Sequence, residues 1–112
     1  MQGFGLIIEE LDAGAVRLAL RGELDLAHAY TFDEELRTVE ATNPLAVVID
    51  LRELTFLDSC GLARLLAARR RARRLGHRLL LVRGSTTVQR LFALAAVDEA
   101  FEMVSDVPAL TR

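Results

Sequence analysis

Asp58, Ser59 and Cys60 put a carboxylate, a hydroxyl and the chain's one thiol on consecutive residues, just ahead of an apolar pattern that starts at Leu62. Three chemistries are open to such a cluster. Asp58 or Ser59 can cap a helix by accepting a backbone N–H of its first turn, a contribution of about 1 kcal/mol. Ser59 can accept a phosphoryl group, because the amide donors and dipole of a helix N-terminus tolerate an added anion. Phosphorylation brings roughly −1.5 to −2 charges and new acceptor oxygens. Beside Asp58 it would build a concentrated negative spot, repelling a docking face made for the neutral hydroxyl without refolding the domain. Cys60 can act as a nucleophile only with a base nearby. The two histidines are His28 and His77. His77 follows Gly76 at the far end of the expected helix, and His28 opens a different one. Cys60 therefore reads as a small, partly buried apolar residue, and no catalytic residue is assigned.

Two neighbours share this ambiguity. Gly61 in the first turn of a helix costs stability relative to Ala. Close approach of a partner, or of the protein's own sheet, would explain it equally well. Asp25, in Gly22-Glu23-Leu24-Asp25, can cap the following helix, or can lie at the same end of the sheet as Ser59 and form one surface with it. Neither histidine belongs to a recognisable ligand cluster, so no metal is expected. No glycine-rich phosphate loop is present and no cofactor is expected.

The elements that must position these residues can be read from periodicity. Leu6–Leu11 is apolar enough for a strand, and Asp12-Ala13-Gly14 reads as a tight turn. Val16, Leu18 and Leu20 alternate with Arg17, Ala19 and Arg21, the period of a strand with one wet face. The two strands predict an antiparallel hairpin. A helix is expected near Ala27–Thr42, with Phe32, Leu36 and Val39 inward and Asp33, Glu34, Glu35 and Glu40 on the other side. Asn43-Pro44 stops it. Leu45–Ile49 lacks polar alternation, as a central parallel strand covered on both faces does. The next helix runs from Asp58–Cys60 to Leu75, with Leu62, Leu65, Leu66, Ala72 and Leu75 on a broad apolar face. Arg69 and Arg73 fall in the same sector, where their stems can lie on the sheet while the charges reach water. Gly76 ends this helix at the C′ position. Leu79–Val82 is another buried strand. Ser85-Thr86 can cap a third helix with Val88, Leu91, Phe92 and Ala95 inward. Phe101–Val104 is strand-like, and Asp106–Thr111 forms a final helical turn or frays. The order β-β-α-β-α-β-α-β predicts an α/β fold. Its mixed sheet has about four to five strands, an N-terminal antiparallel hairpin followed by parallel strands, with three to four helices packed on it.

Composition narrows the function classes. The 112 residues suit a single domain spanning 1–112 with a real hydrophobic core. No apolar run approaches the ~20 residues of a membrane span, and the start lacks the pattern of a signal peptide. A lone cysteine fits a reducing compartment, so a cytoplasmic protein is expected. Residues 1–57 carry eleven acidic and four arginine side chains, a net −7; residues 58–112 carry five acidic and ten arginine, a net +5. The basic excess is concentrated in Arg64, Arg69, Arg70, Arg71, Arg73, Arg74 and Arg78, with no acid among residues 59–97. Such a run is a solvated helix face or meets an acidic partner. Direct nucleic-acid binding is not expected, because no groove-reading motif accompanies it and the chain as a whole is acidic.

Taken in order, Gly22-Glu23-Leu24-Asp25, Val47-Val48-Ile49-Asp50-Leu51 and Leu54-Thr55-Phe56-Leu57-Asp58-Ser59-Cys60-Gly61-Leu62 resemble the STAS domain, and more narrowly the bacterial anti-sigma factor antagonists. Val88-Gln89-Arg90-Leu91-Phe92 and Phe101–Val104 fit in order and spacing, so the resemblance covers nearly the whole chain. It implies a non-enzymatic partner switch. The unphosphorylated antagonist binds an anti-sigma factor that is also a serine kinase, and the sigma factor is freed. The kinase then phosphorylates the serine after the aspartate, here Ser59, and a metal-dependent serine phosphatase resets the cycle. Partner contacts on this reading are Asp25, Asp58, Ser59, Cys60, Gly61, Leu62 and Arg64, on a monomer. Three departures are mild: Cys60 where Ser, Thr or another small residue is usual, Thr86 where relatives often have Pro, and an abbreviated C-terminal helix. The alternative keeps the fold but makes the chain a STAS subunit of a larger assembly, such as a lipid-transport complex or stress-signalling particle, with Ser59 only a helix cap.

Overall fold

The computed structural model describes residues 3–108. Strands β1 (Phe4–Glu10) and β2 (Ala15–Leu24) pair antiparallel through a turn at Asp12–Gly14. They are followed by α1 (Ala29–Glu40), β3 (Ala46–Leu57), α2 (Ser59–Leu75), β4 (Arg78–Val82), α3 (Thr86–Leu94) and β5 (Glu102–Val104). From β2 onward every pairing is parallel, and the five strands lie side by side in chain order. The expected mixed sheet and its three helices are therefore present.

One sheet face carries Leu18, Leu20 and Leu24 of β2, Val47 and Ile49 of β3 and Leu81 of β4. They pack with Phe32, Leu36 and Val39 of α1, Leu62, Leu65 and Ala68 of α2, and Val88 and Phe92 of α3. Burial of each Val, Leu, Ile or Phe among them contributes roughly 1.5–3 kcal/mol. On the opposite face Val48, Leu80 and Val82 form a smaller cluster with Leu11, Val104 and Val107. Coverage on both faces explains the unbroken apolar run in β3.

The structure departs from the sequence expectations at several places. β3 does not end near Asp50 but continues to Leu57. Two register shifts against β2, between Ala19 and Arg21 and between Gly22 and Glu23, give β3 its extra residues. Such bulges bend a strand and re-aim its side chains, here burying Leu54 and Leu57. On the face opposite the helices, Arg17 and Arg52 both hydrogen-bond the buried Asp50 carboxylate. Burial pushes the Asp50 carboxyl up, but the bonds from Arg52 and Arg17 outweigh it and hold the group below the usual range. α1 is two residues shorter at each end than expected. Leu75 and Ala95, expected in the core, are exposed.

The largest departure lies between α1 and α2. Asp33 and Glu40 were expected on the wet side of α1, yet both are buried, and Arg71 is buried against them. Its Nε donates to Glu40 Oε1 at 2.8 Å, and its Nη1 lies 3.2 Å from Asp33 Oδ1. One member of the arginine run is thus an internal tie rather than part of a solvated face. Asp106–Pro108 holds no helix. The rest of the expected final turn, with the abbreviated C-terminal helix, lies outside the described residues.

Candidate functional site

The parallel pairing of β2 with β3 sets Leu24 opposite Leu57, so the two chain exits share one end of the sheet. Asp25 leaves β2 there and Asp58 leaves β3, with Asp58 N–H donating to the Leu24 carbonyl at 3.3 Å. Asp25 and Ser59 therefore do lie on one rim.

Asp58 is the cap of α2. Its backbone is extended, with φ −106° and ψ −176°, and its Oδ1 accepts from Gly61 N–H at 3.0 Å. Its other oxygen, Oδ2, accepts from Leu26 N–H at 3.0 Å. One carboxylate thus fastens the start of α2 to the segment that leads into α1. Ser59, the first helical residue, is exposed, and among the described residues its hydroxyl makes no hydrogen bond. The capping ambiguity of the sequence is resolved in favour of Asp58. The first backbone N–H groups of a helix have no intrahelical acceptor, so Ser59 sits where an added anion meets donors and the positive end of the helix dipole.

Asp25 caps the turn that leads into α1 rather than the first residue of α1 itself. Position 28 precedes that helix without a side-chain cap, and Asp25 Oδ1 instead accepts from His28 N–H at 3.1 Å and faces His28 Nδ1 at 2.7 Å. The His28 ring stacks on Phe4 with centroids 5.8 Å apart. Asp25 thereby closes the turn that holds the rim. On this rim Leu26 and Tyr30 are each 75% exposed, far more than large apolar side chains in a core, and Phe56 is 46% exposed. Sequence reasoning missed all three, although their position beside the Gly22–Asp25 block is a usable signal.

The remaining candidates divide. Gly61 is buried, and a Cβ there would meet the Leu24 carbonyl oxygen at 2.4 Å and Leu57 Cδ1 at 2.7 Å. Its need for glycine comes from this protein's own sheet. Leu62 is likewise buried in the core. Both set the height of the Ser59 turn over the sheet. Cys60 and Arg64 are half-buried, and the Arg64 charge is felt by Asp33. Of the two possible bases for Cys60, His28 is engaged by Asp25, and His77 lies beyond the C-terminus of α2. Burial holds the His77 imidazole below its ordinary pKa. Among the described residues no group of three or more His, Cys, Asp or Glu side chains is placed to hold a metal ion. No helix among them is long and apolar enough to cross a membrane.

Comparison with known proteins fits this geometry. The STAS domain family model matches residues 8–109. The chain is 37% identical over 95 residues to the anti-sigma-F factor antagonist RsfB of Mycobacterium tuberculosis, covering 82% of this chain and 75% of that protein. An anti-sigma factor antagonist from Mycobacterium paratuberculosis superposes with a TM-score of 0.85 at 26% identity, covering 94% of this chain and 88% of that one. The phosphorylated form of the Bacillus cell fate determinant SpoIIAA shares the fold, with a TM-score of 0.70 at 19% identity over 91% of this chain and 93% of that one.

Proposed function

This chain belongs to the STAS domain family, and on that premise we propose that it is a non-enzymatic anti-sigma factor antagonist switched by phosphorylation of Ser59. In its unphosphorylated form the rim of Ser59, Asp58 and Asp25, with the exposed Leu26 and Tyr30, docks on an anti-sigma factor and the sigma factor is released. The anti-sigma factor is also a serine kinase. It transfers the γ-phosphoryl group of ATP to Ser59: the Oγ–P bond forms, the bond to the ADP leaving group breaks, and the hydroxyl proton passes to a base supplied by the kinase. A metal-dependent phosphatase hydrolyses the ester and restores the docking form. The exchange takes place in the bacterial cytoplasm.

The observation that carries this reading is the division of labour between two adjacent residues. Asp58 holds the helix cap and the neighbouring segment, so Ser59 is left exposed with its hydroxyl uncommitted. A serine needed only as a cap would occupy the position that Asp58 fills. Phosphorylation next to the Asp58 carboxylate places like charges on a surface that docks through apolar side chains, and both repulsion and desolvation then oppose binding.

The test is binding to candidate anti-sigma factors of the same genome. Ser59→Ala is expected to bind like the parent and to take up no phosphate from ATP and kinase. Ser59→Asp is expected to lose at least about tenfold in affinity, the order produced by one buried unfavourable charge at an interface. Equal affinity of the two variants, or phosphate mapped by mass spectrometry to another residue, would overturn the assignment.

A further inference from the structure

The exposed positions of α2 are Ser59, Ala63, Arg70, Arg73, Arg74 and Leu75. At 100° per residue the first five fall within a sector of roughly 100°, so they form one stripe running the length of the helix. It begins at the proposed acceptor, passes over the small side chain of Ala63, and ends in three guanidinium groups. The helical rise puts Arg70 about 16 Å and Arg74 about 22 Å from Ser59.

These arginines differ from the five that are tied into the fold by carboxylates. Arg17, Arg37, Arg52, Arg71 and Arg78 each form an ion pair with a carboxylate. Among the described residues Arg70, Arg73 and Arg74 form none, and no acid occurs between residues 59 and 97 to supply one locally. Favourable placement near the negative end of the helix dipole accounts for Arg73 and Arg74 in the last turn. It does not account for Arg70 a turn earlier, or for the alignment of all three with Ser59.

We infer that Arg70, Arg73 and Arg74 are a second docking contact for the same partner that reaches Ser59, and that they read an acidic patch on that partner about 16–22 Å from its phosphoryl-transfer site. This rests on the assignment of Ser59 above. The ridge steers the encounter and selects the cognate kinase by charge, while the rim carries the switch. Because the partner spans the helix, the ridge contributes to binding of both the phosphorylated and unphosphorylated forms and keeps the acceptor serine in register.

The experiment uses the full chain and the anti-sigma factor that binds Ser59→Ala tightest among those of the same genome. Arg70→Glu/Arg73→Glu/Arg74→Glu is expected to lower the association rate by about tenfold at 50 mM salt and to invert its salt dependence, so that added salt speeds association. The neutral triple variant with Gln is expected to fall between. Thermal melts establish that each variant is folded, and the Lys triple variant keeps the charge and is expected to bind like the parent. Unchanged rates and salt slope in the Glu and Gln variants, with Ser59→Asp still impaired, overturn the ridge and leave the Ser59 assignment standing. An effect of the Glu variant with none from Ser59→Asp overturns the switch and supports the ridge. Arginine-dependent binding of a fluorescent 20-base-pair duplex, with kinase binding unaffected, assigns the ridge to another occupant and overturns the proposal.

Discussion

The rim at Asp58 and the seam at Arg71 are both carboxylate links between α2 and the segment around α1, built on opposite terms. At the rim, each oxygen of one carboxylate accepts one backbone N–H at 3.0 Å, and no arginine is involved. At the seam, one buried guanidinium faces two carboxylates, and Arg71 Nη2, Glu40 Oε2 and Asp33 Oδ1 are left without a hydrogen bond. The rim link is short, local and complete, so the hydroxyl beside it takes no part in the cap. The seam link is deep and coupled, so every group in it is committed to the fold. Proximity of a polar side chain to a carboxylate therefore says little about its role until the carboxylate's own bonds are accounted for.

Removing Arg71 breaks the comparison most severely. Arg71→Ala leaves the buried Glu40 carboxylate without its cation and Asp33 with Arg37 alone, and is expected to cost roughly 3–5 kcal/mol in urea unfolding. Replacing Arg71, Asp33 and Glu40 together by Met, Leu and Leu is expected to recover most of that loss. Acid sharpens the same point. Burial pushes the Asp33 carboxyl up, but the hydrogen bond from Arg37 and the Arg71 charge outweigh it and hold the group below its ordinary value. A depressed carboxylate contributes stability above its unfolded pKa and loses it as pH falls through the folded one. The stability gap between parent and Arg71→Ala should therefore narrow as the solution is taken into that acid range.

Gly61→Ala comes next, because the new Cβ would lie 2.4 Å from the Leu24 carbonyl. Helix propensity alone predicts a gain of about 1 kcal/mol; the clash is expected to reverse the sign, with a net loss of roughly 1–3 kcal/mol in the same measurement. The smallest effects separate the two neighbours at the rim. Asp58→Ala is expected to destabilise by about 1–2 kcal/mol through loss of the cap and the Leu26 bond. Ser59→Ala, an exposed change at a position that caps nothing, is expected to stay within about 0.5 kcal/mol. A loss from Ser59→Ala equal to that from Asp58→Ala would return the cap to the serine.

What the sequence revealed and what it hid follow the same divide. Period-two alternation in Val16–Leu20 and the apolar recurrence of Phe32, Leu36 and Val39 report contacts that neighbouring residues determine, and both appeared where expected. The Ser59 rim was legible because a strand, a turn and a helix start follow one another within a few residues. The seam was not legible: Arg71 meets partners 31 and 38 positions away, and only the packing of α1 on α2 brings them together. In the sequence Arg71 is one of five arginines within six residues. The extension of β3 was hidden for a related reason, since Asp50, Arg52 and Glu53 look like a loop until Arg17 of β2 is placed beside them. Leu75 failed the opposite way, matching the apolar face of α2 by spacing while standing on its exposed last turn.

The strand order described earlier bears on how the molecule comes into being. The five strands lie in the sheet in the order in which they are synthesised, so each new strand joins the edge left by its predecessor and none waits for a distant segment. Loop-closure entropy is then met in short instalments, which favours rapid folding for a largely parallel sheet. The rim is completed when α2 emerges, before β4 and β5, so the surface proposed for docking is assembled early in synthesis and the last strands seal the far edge.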